Sequence, residues 1–547
     1  MQLFRYFILV GLAVTSLHAG IMDKTYFVTY LANYLTDFSV YTNDKPYGQG
    51  LARLPSVLAP LMLSPEAMAA GVSRSVDSKI FLCGASTSEH QCSQECTPEI
   101  CSWSRFAKTH NLPQPADKPE GMNWWKHYRS YIDYAADEMK LNALRFSIEW
   151  ALVQPEGPES WNISALDHYA DVFIYAIKKG IAPIVCFHHY TDPVWFLDRG
   201  GFEKDENVDY FVQYCQKIYA HTMHAVAKDV QAQKAWQAIA PRTPLWATYN
   251  APEGYAFRGY HQKQGPPADP HHSGLPVVAQ VLKNVLESHV RVFYGLKQLY
   301  KKEHFADHHI SSPKIGLLKN IHQLDPAKDT WKHYCASPLT RFMTGVADMI
   351  QNGSIYRFFI KGEYRVHIPF LIDIKHVNKK AAGALDFIGL NYYSNRYLYL
   401  TQTIAPTDPK LTSDNKMYYH YPEGMYRAIC ELHEKLVKPY QIRGKKLPLI
   451  VTENGIATKD EDKRKRFYYE YLYAIHRAVA EGKSVEGYLP WTLATNYEWP
   501  QLEDNRERDY GLCVVDKDNP ARLHIKRGAG SYMQFTDKMA QLRAPSA

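Results

Sequence analysis

The chain has 547 residues, 46% hydrophobic and 22% charged, with a formal net charge of +7. That composition supports a large core and excludes an extensively disordered polypeptide. With no dense Lys/Arg stripe, it also excludes a dedicated nucleic-acid-binding protein. A prior of one domain per roughly 150 residues suggests several domains, yet an α/β barrel with long loops can exceed about 400 residues as one unit.

In chain order, residues 1–19 combine Arg5, an apolar run Tyr6–Val14 and small residues up to Ala19. This is the layout of a secretory signal peptide, so export is expected. The run is shorter than the roughly 20 apolar residues of a membrane span, and no transmembrane span is expected. Residues 20–78 read as an extension packed on the main domain, with Arg53, Pro55 and Pro60 interrupting its apolar stretch. Asn162 and Asn352 head Asn-X-Ser sequons, which matter only in a eukaryotic secretory route. The nine cysteines leave at least one unpaired. Cys92, Cys96 and Cys101 cluster in one polar loop. A zinc site there needs a further ligand such as His90, and the spacing matches no standard finger. One disulfide or free thiols is the expectation.

From Lys79 onward, short apolar runs alternate with amphipathic stretches. Strands are predicted within 79–87, 143–150, 182–189, 244–250, 314–321, 385–393, 447–454 and 485–492. Helical periodicity marks 125–141 and 164–180 among the segments between them. Parallel strands joined by helical crossovers, eight in number, close into an α/β fold of the (β/α)8 TIM-barrel type with long βα loops. A doubly wound sheet instead calls for an early Gly-rich phosphate turn, and no G-x-G-x-x-G is present. The basic runs 459–466 and 443–447 read as solvated helix ends and loops.

The predicted strands end in groups able to ionise or hydrogen-bond. Gln91 follows the first, Glu149 and Trp150 end the second, and His188 and His189 the third. Asn250 ends the fourth, Asn391 and Tyr393 the sixth, Glu453 the seventh and Trp491 the eighth. In a barrel these ends meet on one face. Neutral hydrogen-bonders, tryptophans, and an isolated carboxylate with Arg145 nearby suit a polyhydroxylated substrate. No metal cluster and no G-x-S-x-G elbow is visible, and neither metal nor cofactor is expected. Retaining glycoside cleavage uses a carboxylate nucleophile and a second carboxyl as acid/base.

The motifs FLCGASTSEHQ (81–91), RFSIEW (145–150), HHYTDPVWF (188–196) and TYNAPEGY (248–255) are followed by DFIGLNYYS (386–394), VTENG (451–455), LPWTLATNYEW (489–499) and RDYGL (508–512). In this order they resemble the glycoside hydrolase family 1 β-glycosidases, from about Lys79 to the C-terminal region. The resemblance implies Glu453 as nucleophile, with Arg145 and Tyr393 orienting it and Asn391 lining the cleft. It further implies Gln91, His189, Asn250, Trp491, Glu498 and Trp499 as ligands of the nonreducing sugar of a β-glycoside or oligosaccharide. Retention of Glu498 and Trp499 departs from the 6-phospho-glycosidase subgroup. Cys83 and His90 depart from the family's first motif.

The most consequential departure is Ala251, which stands where the family carries its acid/base Glu. Glu253, two residues on and beyond Pro252, reads as a solvated or ion-paired loop acid, because a proton-transferring carboxyl must come within about 3 Å of its proton. Three accounts fit Ala251. It is a substitution that traps substrate, or a natural state served by an outside nucleophile, or the mark of a noncatalytic carbohydrate-binding cleft. The sugar, the aglycone and the oligomeric state are not legible in the residues.

Overall fold

A computed structural model describes residues 63–544, apart from 118–120, 327–337, 369–370, 400–401, 405–412, 416–417 and 501–507. The leader and most of the 20–78 extension lie outside the described residues.

The predicted apolar runs form strands β1 (Leu82–Ser86), β2 (Ala143–Ser147), β3 (Ala182–His188) and β4 (Leu245–Asn250). They continue as β5 (Lys314–Asn320), β6 (Phe387–Asn391), β7 (Leu449–Glu453) and β8 (Val485–Tyr488). Each pairs in parallel with its neighbour in sequence, and β1 pairs with β8, so the sheet closes into an eight-stranded barrel. Closure settles the choice between barrel and open sheet. The strands are shorter than the predicted runs for local reasons. Asp77 accepts from the backbone of Lys79 through its Oδ1 and of Ile80 through its carbonyl, holding 79–81 in a turn before β1. Close strand approach also restricts residue choice: a Cβ at Gly316 would sit 2.5 Å from the Phe387 carbonyl oxygen.

Helices cover the barrel. Trp124–Asp137 and Ile163–Lys178 match the predicted periodic segments to within a few residues. Asn162 starts the second by accepting from the Ala165 amide at 3.1 Å, the N-cap role for which Asn is favoured. Between helix and barrel, Trp246 of β4 stacks with Phe173 (5.6 Å) and Phe187 (5.4 Å). Truncating so large a buried ring costs about 3–5 kcal/mol. A helix at Pro65–Ser75 packs on helices Glu461–Ala480 and Gly530–Arg543.

One local reading is corrected. Arg464, in the basic run 459–466, is not solvated; it is fully buried and donates to the Ile456 and Thr458 carbonyls. The Asn352 sequon is also buried, with its amide bonded to Asp348 Oδ1 at 2.6 Å, and offers no glycan acceptor in the folded chain. Asn162 is exposed. Among the described residues no helix is long and apolar enough to cross a membrane.

Candidate active site

Because all eight strands run in one direction, their C-terminal ends open on a single cleft. Gln91, His189, Asn250, Ala251, Asn391, Tyr393, Glu453, Trp491, Glu498 and Trp499 all line it. Arg145 lies beneath them, fully buried.

At the centre, Glu453 ends β7. Its Oε1 is 2.5 Å from the Arg145 guanidinium, and Tyr393 donates to its Oε2 at 2.6 Å. Two charge-assisted contacts on different oxygens leave the carboxylate little rotational freedom. Burial and the neighbouring Glu453 charge push the Tyr393 hydroxyl well above the usual tyrosine range, so it remains a donor. Arg145 also donates to Asn250 Oδ1 (3.0 Å), to which Asn391 donates at 2.8 Å. Thr452 donates in turn to Asn391 Oδ1 (2.8 Å). This chain of bonds ties β2, β4, β6 and β7 together beneath the cleft and fixes the Asn250 amide toward His189 Nε2, 3.2 Å away.

Along the wall, Glu498 accepts from Trp491 Nε1 (3.0 Å) and from Gln91 Nε2 (3.2 Å). The His189 ring stacks against Trp491. Burial, followed by the Arg145 charge, pulls the His189 pKa well below the usual range and keeps the ring neutral. Gln91 Oε1 and His189 Nδ1 are buried without a hydrogen-bond partner among the described residues. Buried polar atoms are normally paired, so these two are suited to ligand hydroxyls.

Ala251 follows β4 in a left-handed conformation (φ 44°, ψ 62°), with its amide bonded to the Leu318 carbonyl at 2.7 Å. Pro252 then opens the helix Pro252–Tyr260. Only a methyl group therefore faces the cleft from this position. Glu253 is not solvated, as half of the sequence reading held. It is 2% exposed and lies 3.7 Å from Lys319 Nζ, also buried. Burial raises the Glu253 pKa and lowers that of Lys319, each opposed by the other's charge.

Not every polar strand end reaches the cleft. Trp150 packs outward against Tyr214 and Phe196. His188 pairs with buried Asp192 at 3.0 Å. Glu149 faces His90 and the loop cysteines. Among the cleft residues missed by sequence reasoning are Tyr418, stacked on Tyr393 with centroids 4.9 Å apart, Asn320 and His322 after β5, and Tyr190 and Tyr510. Lys319 carried a usable signal, being a cation inside an apolar strand just as Arg145 is. Tyr418 carried none, since its loop gives no periodicity.

The fold brings together donor groups that their spacing in the sequence does not reveal as a cluster. Donor atoms of His90, Cys96, Cys101 and Glu149 lie within 4.8 Å of one another. The eight described cysteines are all free thiols.

A (β/α)8 barrel with a buried carboxylate clamped at the end of β7, and a wall of aromatic and amide groups around it, defines a carbohydrate-processing barrel. The family model for glycosyl hydrolase family 1 matches residues 78–540, and the chain belongs to that family. It is 24% identical to Beta-glucosidase A of Acetivibrio thermocellus over 77% of this chain and 88% of that one. It is likewise 24% identical to a benzoxazinone-glucoside β-D-glucosidase of Secale cereale, over 84% of this chain and 82% of the relative. Among solved structures, a β-glycosidase from Pyrococcus horikoshii matches with TM-score 0.64 and 26% identity, over 84% of this chain and 94% of that one. A rice β-glucosidase shares the fold at TM-score 0.66 and 20% identity, over 85% and 99%.

Proposed function

We propose that the protein acts on terminal nonreducing β-D-glycosides through a glycosyl-enzyme on Glu453, and that Ala251 confines it to substrates and acceptors needing no acid/base assistance. The observation that carries this reading is the doubly clamped Glu453 carboxylate opposite a position that presents only a methyl group.

Glu453 attacks the anomeric carbon, and the glycosidic bond breaks with its electron pair leaving on the aglycone oxygen. An aryloxide departs without protonation, whereas an alkoxide does not. The glycosyl-enzyme then needs a nucleophile on the other face. Water there lacks a base, but a small anion needs none and meets no carboxylate charge at residue 251. Gln91, His189, Asn250, Trp491, Glu498 and Trp499 hold the glycone in this reading. The Glu498 carboxylate, bridging Gln91 and Trp491, repels a sugar phosphate and favours an unphosphorylated glycone.

Azide supplied with an aryl β-glucoside tests the proposal. A β-glucosyl azide is expected, and it is lost in Glu453→Gln. Ala251 also fits a noncatalytic carbohydrate-binding cleft. Saturable sugar binding with no azide adduct would establish that reading instead.

A further inference from the structure

Behind the sugar-facing wall, four side chains with metal-ligand chemistry meet although they are scattered in sequence. His90 sits in the short helical turn after β1, Cys96 and Cys101 in the following loop, and Glu149 at the end of β2. His90 Nδ1 is 3.5 Å from Cys101 Sγ and 3.9 Å from Glu149 Oε2. All four donor atoms fall within 4.8 Å of one another.

A tetrahedral zinc ion with bonds of about 2.3 Å to sulfur and 2.0–2.1 Å to nitrogen separates those two ligand atoms by about 3.6 Å. The observed sulfur–nitrogen separation already has that value, and small side-chain movements bring in the rest. His90, Cys101 and Glu149 are each at most 3% exposed. Burial favours the neutral form of Glu149, and a bound cation supplies the countercharge that lets it ionise. The outer contacts are also of the kind that orient ligands. Thr191 Oγ1 donates to Glu149 Oε2 at 2.8 Å, and the Ser104 hydroxyl donates to the Cys96 carbonyl. Cys96 is partly exposed, giving an ion a way in.

We propose that His90, Cys96, Cys101 and Glu149 form a structural zinc site. Two thiolates with an imidazole select zinc over the hard, oxygen-seeking cations. Coordination takes Cys96 and Cys101 as thiolates and Glu149 as carboxylate, so the protons these groups hold leave to solvent, and His90 coordinates through Nδ1 while Nε2 keeps its proton. The site bears on the cleft because the His90 ring stacks on Trp499 at 5.3 Å with planes 5° apart, and its neighbour Gln91 bonds Glu498. The ion would pin this part of the glycone wall.

The test is metal content of the purified full chain after dialysis, together with a peptide map under non-reducing conditions. Expected are about one zinc per chain, a near-ultraviolet thiolate band when cobalt replaces zinc, and loss of both in Cys101→Ser and Cys96→Ser. Cys430→Ser, at a distant cysteine, retains them. Wild-type protein with no zinc and no cobalt band overturns the proposal even if the variants fail to fold. So does a Cys96–Cys101 disulfide, or zinc unchanged in both variants. None of these readouts depends on turnover.

Discussion

Replacing Ala251 with Glu asks whether a single missing carboxyl separates this chain from a general β-glycosidase. The backbone there is already left-handed at φ 44°. Any L-residue with a Cβ bears that cost of about 1–2 kcal/mol, so Glu adds nothing to what Ala carries. The amide bond to the Leu318 carbonyl is also retained. General acid/base assistance contributes about 10²–10⁴-fold, or about 2.7–5.4 kcal/mol of barrier. That gain should appear in kcat/KM for an alkyl β-glucoside, whose leaving group needs a proton. Bond cleavage in a dinitrophenyl β-glucoside, followed as the burst of released phenolate, should change far less. A folded Ala251→Glu protein that binds sugar normally but shows no gain on the alkyl substrate would refute the reasoning. Adding Glu253→Gln supplies an internal control. Its carboxylate is engaged with Lys319 at 3.7 Å, so removing it should leave the restored rate within about threefold, far below an acid/base loss.

Other consequences are independent of position 251. Tyr393→Phe keeps the ring stacked on Tyr418 but deletes the 2.6 Å bond to Glu453. A hydrogen bond to a charged group is worth about 1.5–3 kcal/mol, so glucosyl azide formation should slow about 10–150-fold in a variant that still folds. An undiminished rate would show that Tyr393 does not orient the nucleophile. In Gly455→Ala, the new Cβ would lie 2.1 Å from the Trp491 carbonyl oxygen. Overpacking of this kind costs about 1–3 kcal/mol, and displacement of Trp491 should weaken sugar binding in parallel with the fall in melting temperature. A stable variant with normal affinity contradicts that contact. His289 Nδ1 lies 2.7 Å from Thr248 Oγ1, and its Nε2 lies 2.7 Å from the Ala384 carbonyl oxygen. Burial brings its pKa down to about 4. The folded state then binds fewer protons than the unfolded one between about pH 6.5 and 4, so stability is lost as pH falls through that window, by about 3 kcal/mol. Denaturant titrations at pH 7 and 4.5 should show a shallower decline for His289→Gln; an equal decline would remove His289 as its source.

The residues alone determined the barrel, because eight apolar runs separated by helical periodicity have few ways to bury both faces of each strand. They also placed Glu453, Arg145 and Ala251, since barrel topology sends every strand end to one face and the motif order tells which end is which. They could not say which polar ends face inward. Period-two alternation is the same for Trp150, packed outward against Tyr214, as for Trp491, facing the cleft, and only the strands' tilt and neighbours separate them. Nor could they foresee Glu253 buried against Lys319, a pairing between β5 and the loop after β4. The cluster of His90, Cys96, Cys101 and Glu149 belongs to the same class. Its cysteine spacing matches no finger because one ligand comes from a different strand, and strand-to-strand proximity is decided by barrel closure rather than by any local pattern.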